Sequence, residues 1–340
     1  MKLRLDPWAT EYDTAFHVEE TEEVSRASIK THLELETWQT INPREETLEF
    51  DSLIFIDGSR RTEARVLLED DLKQVAFGAV GTFGIGAVNC CPKHSREARF
   101  IDLDVEASFT SINRICTLSG GHDAPSFDIV SDLSQKLGSL HYVVESTPEK
   151  DADAVLRRLQ FKMLEAERLL ASKLTSVFPD ALVISDGPRP KMGLNPNVVG
   201  YLKTMHVLAL GEEELKVVRD LDEGQRSPLY LVENNDKSQQ LFEFFLRLRD
   251  PRPWLYSFAG MVRLQISAGS KPEERLEDAI RLANWLSILL PRFATKQHQD
   301  PRAPQQLLPV RALEAELRRK MGHSQIVRRR LTEYFSLSAD

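Results

Sequence analysis

Two apolar runs of strand length end in the same dipeptide: LIFID at 53–57 is followed by Gly58, and ALVISD at 181–186 by Gly187. A short, continuous apolar run bounded by turn-forming residues is the pattern of a strand buried on both faces, which demands covering layers on both sides of a sheet. Between the two runs, Asp151 to Val177 places Leu156, Leu159, Met163, Leu170 and Leu174 on one stripe, with Asp151 and Asp153 at its start and Pro179 just past its end. That pattern predicts a long amphipathic helix feeding the second strand. The expected class is α/β, a mixed sheet flanked by helices.

The remaining elements are read around this frame. LIFID is expected to stop at a turn at Gly58 and Ser59, and further strands over Ala64 to Glu69, Gln74 to Thr82, Phe83 to Cys90 and Arg99 to Ala107 make an antiparallel meander. The glycines of GAVGTFGIGAV invite comparison with a phosphate loop, but no helix start or GK[ST] follows, so they are read as glycines of a tightly packed hairpin. Beyond Gly200 the pattern predicts strands at Val207 to Leu210 and Pro228 to Val232, a helix at Ser238 to Arg249, a strand at Met261 to Ile266 and a helix at Glu273 to Leu290. A loop containing DPRAPQQ then leads to a last helix, Val310 to Met321, ended by Gly322. Residues 1–50, rich in Glu and Thr, form a lead-in to the domain at 51–340. That lead-in and the aromatic segment Phe242 to Tyr256 are the candidate surfaces for a dimer or partner.

Composition sets outer limits. With 41% hydrophobic and 28% charged residues among 340, the chain can bury a substantial core. A net charge of -8 argues against a globally basic surface that coats nucleic acid, although carboxylates gathered around metal ions would contribute to such a balance. Cys90, Cys91 and Cys116 have neither an even count nor CxxC spacing, so no disulfide framework or zinc site is indicated. No apolar run approaches membrane-span length and no secretory h-region follows MKLRLDPW, so a cytoplasmic protein is expected.

The acidic residues carry the chemistry. Asp57 and Asp186 close their strands, where a carboxylate sits on rigid backbone at the sheet edge used by ligands. Glu167 falls inside the apolar stripe of the long helix, where an ionised carboxylate must be paired, hydrogen-bonded or metal-bound. Glu314 lies at the edge of the stripe of Val310, Leu313, Leu317 and Met321. Hard oxygen ligands of this kind suit Mg²⁺ or Mn²⁺, two of which can activate water and stabilise a departing oxygen in phosphodiester cleavage. Acid-bearing strand, hairpin series, helix with Glu, second acid-bearing strand and a final helix with an acid resemble the ligand order of RNase H-like nucleases, which implies an RNase H-like core.

Four segments together resemble the NurA family of nucleases: FIDGSRR at 55–61, MLEAERLL with ISDGP following its glutamate, VGYLKT at 199–204 and DPRAPQQLLPVRALEAELR at 300–318. The resemblance spans most of the chain, and RAPQQL is similar to bacterial members. It implies a homodimer with Mn²⁺-dependent nuclease activity on single- and double-stranded DNA, exonucleolytic from 5′ to 3′ and also endonucleolytic. It also implies a HerA-type hexameric ATPase as partner in DNA end resection and recombinational repair. Carried over by position, Asp57, Glu167 and Asp186 bind metal, and Tyr201 and Lys203 lie near the substrate phosphate. Archaeal members use a histidine near the C-terminus; here Glu314 is the favoured fourth ligand and Asp300 the reserve, with His298 nearby. Arg60, Arg61, Arg189 and Arg302 are the candidate DNA-backbone contacts, whereas Arg318 to Lys320 and Arg328 to Arg330 read as solvated faces. Two other readings compete: a noncatalytic adaptor that loads or regulates the ATPase on DNA ends, and a phosphotransferase of the actin and sugar-kinase type. The latter is disfavoured because glycine directly follows Asp57, where those enzymes have DxGxT or DxGxS.

Overall fold

The computed structural model describes residues 2–5, 28–48, 50–69, 75–90, 99–100, 109–130, 138–192, 195–203, 210–233, 240–252 and 255–337. In chain order the strands and helices are β1 (Lys2–Leu5), β2 (Ser28–Lys30), β3 (Ser52–Glu69), β4 (Val75–Cys90), β5 (Arg99–Phe100), β6 (Ser111–Leu118), β7 (Phe127–Ile129), β8 (Leu140–Ser146), α1 (Ala152–Val177), β9 (Ala181–Asp186), β10 (Val198–Leu202), α2 (Glu212–Arg219), β11 (Tyr230–Glu233), β12 (Leu241–Arg247), β13 (Met261–Ser267), α3 (Pro272–Leu289), α4 (Leu308–Met321) and α5 (Ser324–Leu337). One mixed sheet runs β2-β11-β12-β13-β10-β9-β3-β4-β6-β8-β7, with β1 added on β3 and β5 on β4. At its centre, β3 pairs antiparallel with β4 and parallel with β9, which pairs parallel with β10.

Side-chain alternation along β3 divides the core. Ile54 and Ile56 pack with Leu159, Met163 and Leu170 of α1 on one face. Leu53 and Phe55 pack with Ile184, Tyr201 and Leu286 and with Leu313 and Leu317 of α4 on the other. Asp151 caps α1 by accepting from the Ala154 amide at 2.8 Å, a contact of the kind that contributes about 1 kcal/mol. Gly322, at φ +85°, follows α4 as expected. The glycines of β4 lie within the strand: a Cβ on Gly81 would meet Leu159, and on Gly86 would meet Leu313 and Leu317, so both helices approach close to the backbone.

Four expectations are corrected. The Asp57-Gly58 dipeptide does not end a strand, because β3 continues unbroken past it, with only a bulge between Thr62 and Ala64. Likewise β4 is one strand across Val75–Cys90. The helix expected over Ser238 to Arg249 is β12, paired with β13 from Leu241↔Ser267 to Arg247↔Met261. Glu243 and Arg247 mimic a helical pair by their spacing, but both are buried. Glu243 accepts from Tyr230 Oη and Gln265 Nε2, and Arg247 donates to four backbone carbonyls. Finally, α4 is not the last helix, since α5 follows it and packs Val327, Leu331 and Phe335 against Val66, Leu118 and Tyr142. The strand expected at Val207 to Leu210 lies largely outside the described residues, as do Cys91 and most of Arg99 to Ala107. Among the described residues no helix is long and apolar enough to cross a membrane.

Candidate metal centre

The parallel ladder between β3 and β9 ends at Ile56↔Ser185. Asp57 and Asp186 therefore sit one residue past the last paired position, side by side, on the face that carries Phe55 and Ile184. On that face α4 is held down by Val310, Leu313 and Leu317, and the same buried stripe includes Glu314. Each of Asp57, Asp186 and Glu314 offers a carboxylate oxygen within 4.8 Å of the others.

Asp57 is the most constrained member, only 6% exposed. Its Oδ1 accepts from the Gly58 amide at 2.8 Å, while Oδ2 is buried with no hydrogen-bond partner. Burial pushes its carboxyl well above the usual range; the negative charges of Asp186, Glu167 and Glu314 add to the rise and Lys203 opposes it. The Lys203 ammonium donates to Asp186 Oδ2 at 2.6 Å and to Gln306 Oε1. Glu314 is gripped on both oxygens by Arg302, at 2.8 and 2.7 Å, a bidentate pair. Burial works against the Glu314 charge, but the Arg302 bonds and the fields of Arg302, Lys203 and Arg318 prevail and hold its carboxyl below the usual range.

Glu167 arrives from the opposite face. It is buried on α1, and a Cβ on Gly58 would overlap its Oε1 and touch Met163. Glycine after Asp57 is thus what lets α1 bring a fourth carboxylate to the strand, although Glu167 is not among the three that converge within 4.8 Å.

The other expected residues separate into distinct roles. Asp300 is buried and held by Arg302 at 3.2 Å and Arg311 at 3.6 Å, outside the converging group. Tyr201 is fully buried, and its hydroxyl donates to the Gln305 carbonyl at 2.7 Å, so it anchors the loop beside Lys203 rather than facing an incoming phosphate. Arg189 is corrected from DNA contact to structural residue: buried at 7% exposure, it donates to the Val198 and Asn195 carbonyls, and burial lowers its guanidinium to about 10. Arg61 bonds Glu63 and the Gly322 carbonyl, tying β3 to the end of α4. Arg60 is half-buried, its guanidinium lowered by that burial. Arg302 bridges Asp300 and Glu314.

Gln305 and Gln306 were not singled out in the sequence except inside the RAPQQL segment. Gln305 Nε2 donates to the Lys203 and Met261 carbonyls, and Gln306 receives Lys203. Together they fasten the loop before α4 onto the ends of β10 and β13. No family model matches the chain, and no curated protein matches it.

Proposed function

We propose that this chain is a divalent-metal-dependent deoxyribonuclease with an RNase H-like core, of the NurA type. The observation that carries the reading is the convergence of Asp57, Asp186 and Glu314 from two parallel strands and a helix, with a buried Asp57 oxygen left unpartnered. Such an oxygen is costly unless something binds it, and an all-carboxylate donor set fits Mn²⁺ or Mg²⁺. A second ion would have Glu167 as the remaining nearby carboxylate.

Asp57, Asp186 and Glu314 would hold the ion, which when bound supplies Lewis-acid stabilisation and an activated water for phosphodiester hydrolysis. Lys203, kept in place by Asp186 and Gln306, stands ready to offset charge building on the phosphoryl oxygens. Tyr201 and Gln305 hold the loop from which this arrangement is built. The family resemblance extends the proposal to 5′ to 3′ exonuclease and endonuclease action on single- and double-stranded DNA, as a homodimer working with a HerA-type hexameric ATPase in end resection.

A second reading has its own observation. The Asp186–Lys203 and Glu314–Arg302 pairs close on themselves, as they would in a noncatalytic adaptor that kept the cluster as a salt-bridge network. Cleavage of end-labelled linear single- and double-stranded DNA separates the two, with Mn²⁺, Mg²⁺ or EDTA, comparing the unaltered protein with Asp57→Ala and Asp186→Ala. Metal-dependent cutting lost in both variants supports the nuclease. Absence of cutting in every metal, with and without the ATPase, leaves the adaptor.

A further inference from the structure

A site built of carboxylates repels the phosphate it must receive, so the manner of approach needs an explanation. Around Glu314 and Asp300 the charges are layered. The acids' side chains are 11% and 7% exposed, whereas the side chains of Arg302, Arg311 and Arg318 are 45%, 48% and 67% exposed. Solvent, and anything dissolved in it, meets the cations first.

The three arginines are not equivalent. Arg302 spends its donors on Glu314 and Asp300, at 2.7 to 3.3 Å. Arg311 approaches Asp300 only to 3.6 Å and Arg318 approaches Glu314 only to 3.9 Å, beyond hydrogen-bonding distance. Their forks of N–H donors are attracted to the buried acids without being consumed by them. On α4 these two residues stand seven apart on one face, on either side of Glu314. They are separated by roughly 10 Å of helix rise, far enough apart to hold different phosphates of one strand.

We infer that Arg311 and Arg318 form a phosphate-binding rail along α4 that receives the sugar–phosphate backbone of a nucleic-acid strand and leads it over Glu314 to the carboxylate centre. The inference rests on the nuclease reading for its substrate class and moves the backbone contact from Arg302, which the sequence suggested, to two residues it did not. Arg302 becomes the internal strut that keeps Glu314 and Asp300 beneath the rail.

The test is the salt dependence of binding to a fluorescein-labelled oligothymidylate, followed by anisotropy in an Asp57→Ala background so that no strand is cut. Each phosphate left without its arginine lowers the slope of log K against log salt by about 0.7 for a single strand, so Arg311→Ala with Arg318→Ala should lower it by about 1.4. Arg319→Ala, whose guanidinium is bonded to Glu316, should leave the slope unchanged. The pair Arg311→Lys and Arg318→Lys, which keeps the charge, should restore it. A double-alanine variant with the parent slope, or a lysine pair that fails to restore it, overturns the rail. Hydrolysis of bis(p-nitrophenyl) phosphate by the unaltered protein with Mn²⁺ reports separately on the nuclease reading. A lowered slope without hydrolysis, with the ATPase present as well as without it, retires the nuclease and keeps the rail; hydrolysis with an unchanged slope retires the rail alone.

Discussion

Replacing Asp57 by Asn should stabilise the metal-free protein and at the same time remove its response to metal. The asparagine keeps Oδ1 for the Gly58 amide, now met at 2.8 Å, and puts an N–H₂ donor where Oδ2 lies buried without a partner among acids. The sign of the pH dependence follows from the direction of the shift. Asp57 has its folded-state carboxyl raised by burial and by Asp186, Glu167 and Glu314, so its favourable contribution is complete below the unfolded value of about 3.9. That contribution is lost as pH rises through the higher folded value. The advantage of Asp57→Asn without metal should therefore be absent in acid and grow toward neutral pH. With metal the order reverses. An ion at one hundred times its dissociation constant stabilises the parent by about 2.7 kcal/mol, which at about 1.4 °C per kcal/mol for a chain of 340 residues is a rise in Tm of about 4 °C. The variant should show little of it. Scanning calorimetry in EDTA and in Mn²⁺, at several pH values, reads both effects. A variant less stable than the parent in EDTA at neutral pH, or one that retains the full Mn²⁺ shift, would refute the reasoning.

Other substitutions probe the supports of the site. Gly58→Ala forces a Cβ against Glu167 and Met163 and should cost about 1–3 kcal/mol as an overpacked contact, seen as a lower urea midpoint at unchanged slope. Arg189→Ala removes a buried guanidinium that serves backbone carbonyls. It should lower stability by about 1.5–3 kcal/mol while leaving the salt slope of DNA binding unchanged, and a changed slope would return Arg189 to the DNA contacts. Cys116 is fully buried, with its thiol pushed up to about 12 by burial, so alkylation followed by peptide mass mapping should find it unmodified in the native protein and modified only after unfolding.

The parts of the fold that announced themselves in the sequence are those fixed by local pattern. The apolar runs that became the start of β3 and all of β9, and the stripe of α1, have the periods of their elements. Glu167 was visible because a carboxylate inside an apolar stripe is anomalous wherever the chain folds, whereas Glu314, at the edge of its stripe, stood out only through the order of the acids and the family resemblance. What stayed hidden depends on partners distant in the chain. Asp57-Gly58 looks like a turn locally; Gly58 is required inside a strand because α1 descends on it. Arg189 is an ordinary loop arginine until Val198 and Asn195 close around it. Arg302 carries no sign of its bond to Glu314, made only when the loop folds back on α4. In β12, Glu243 and Arg247 stand at a helical spacing, but the strand is covered on one face by α3, against Phe242, Phe244 and Leu246, and on the other by Val218 and Leu221, against Phe245, partners distant in the chain.

The most direct test is titration of Mn²⁺ into the metal-free protein by calorimetry, with the free ion followed in parallel by electron paramagnetic resonance, for the parent and for Asp57→Ala, Asp186→Ala and Glu314→Ala. With Asp57, Asp186 and Glu314 converging within 4.8 Å, the proposed metal centre predicts saturable binding in the parent that each substitution weakens or abolishes. Mn²⁺ that fails to saturate a site in the parent, or binds Asp57→Ala as tightly as the parent, would contradict a metal centre at this position.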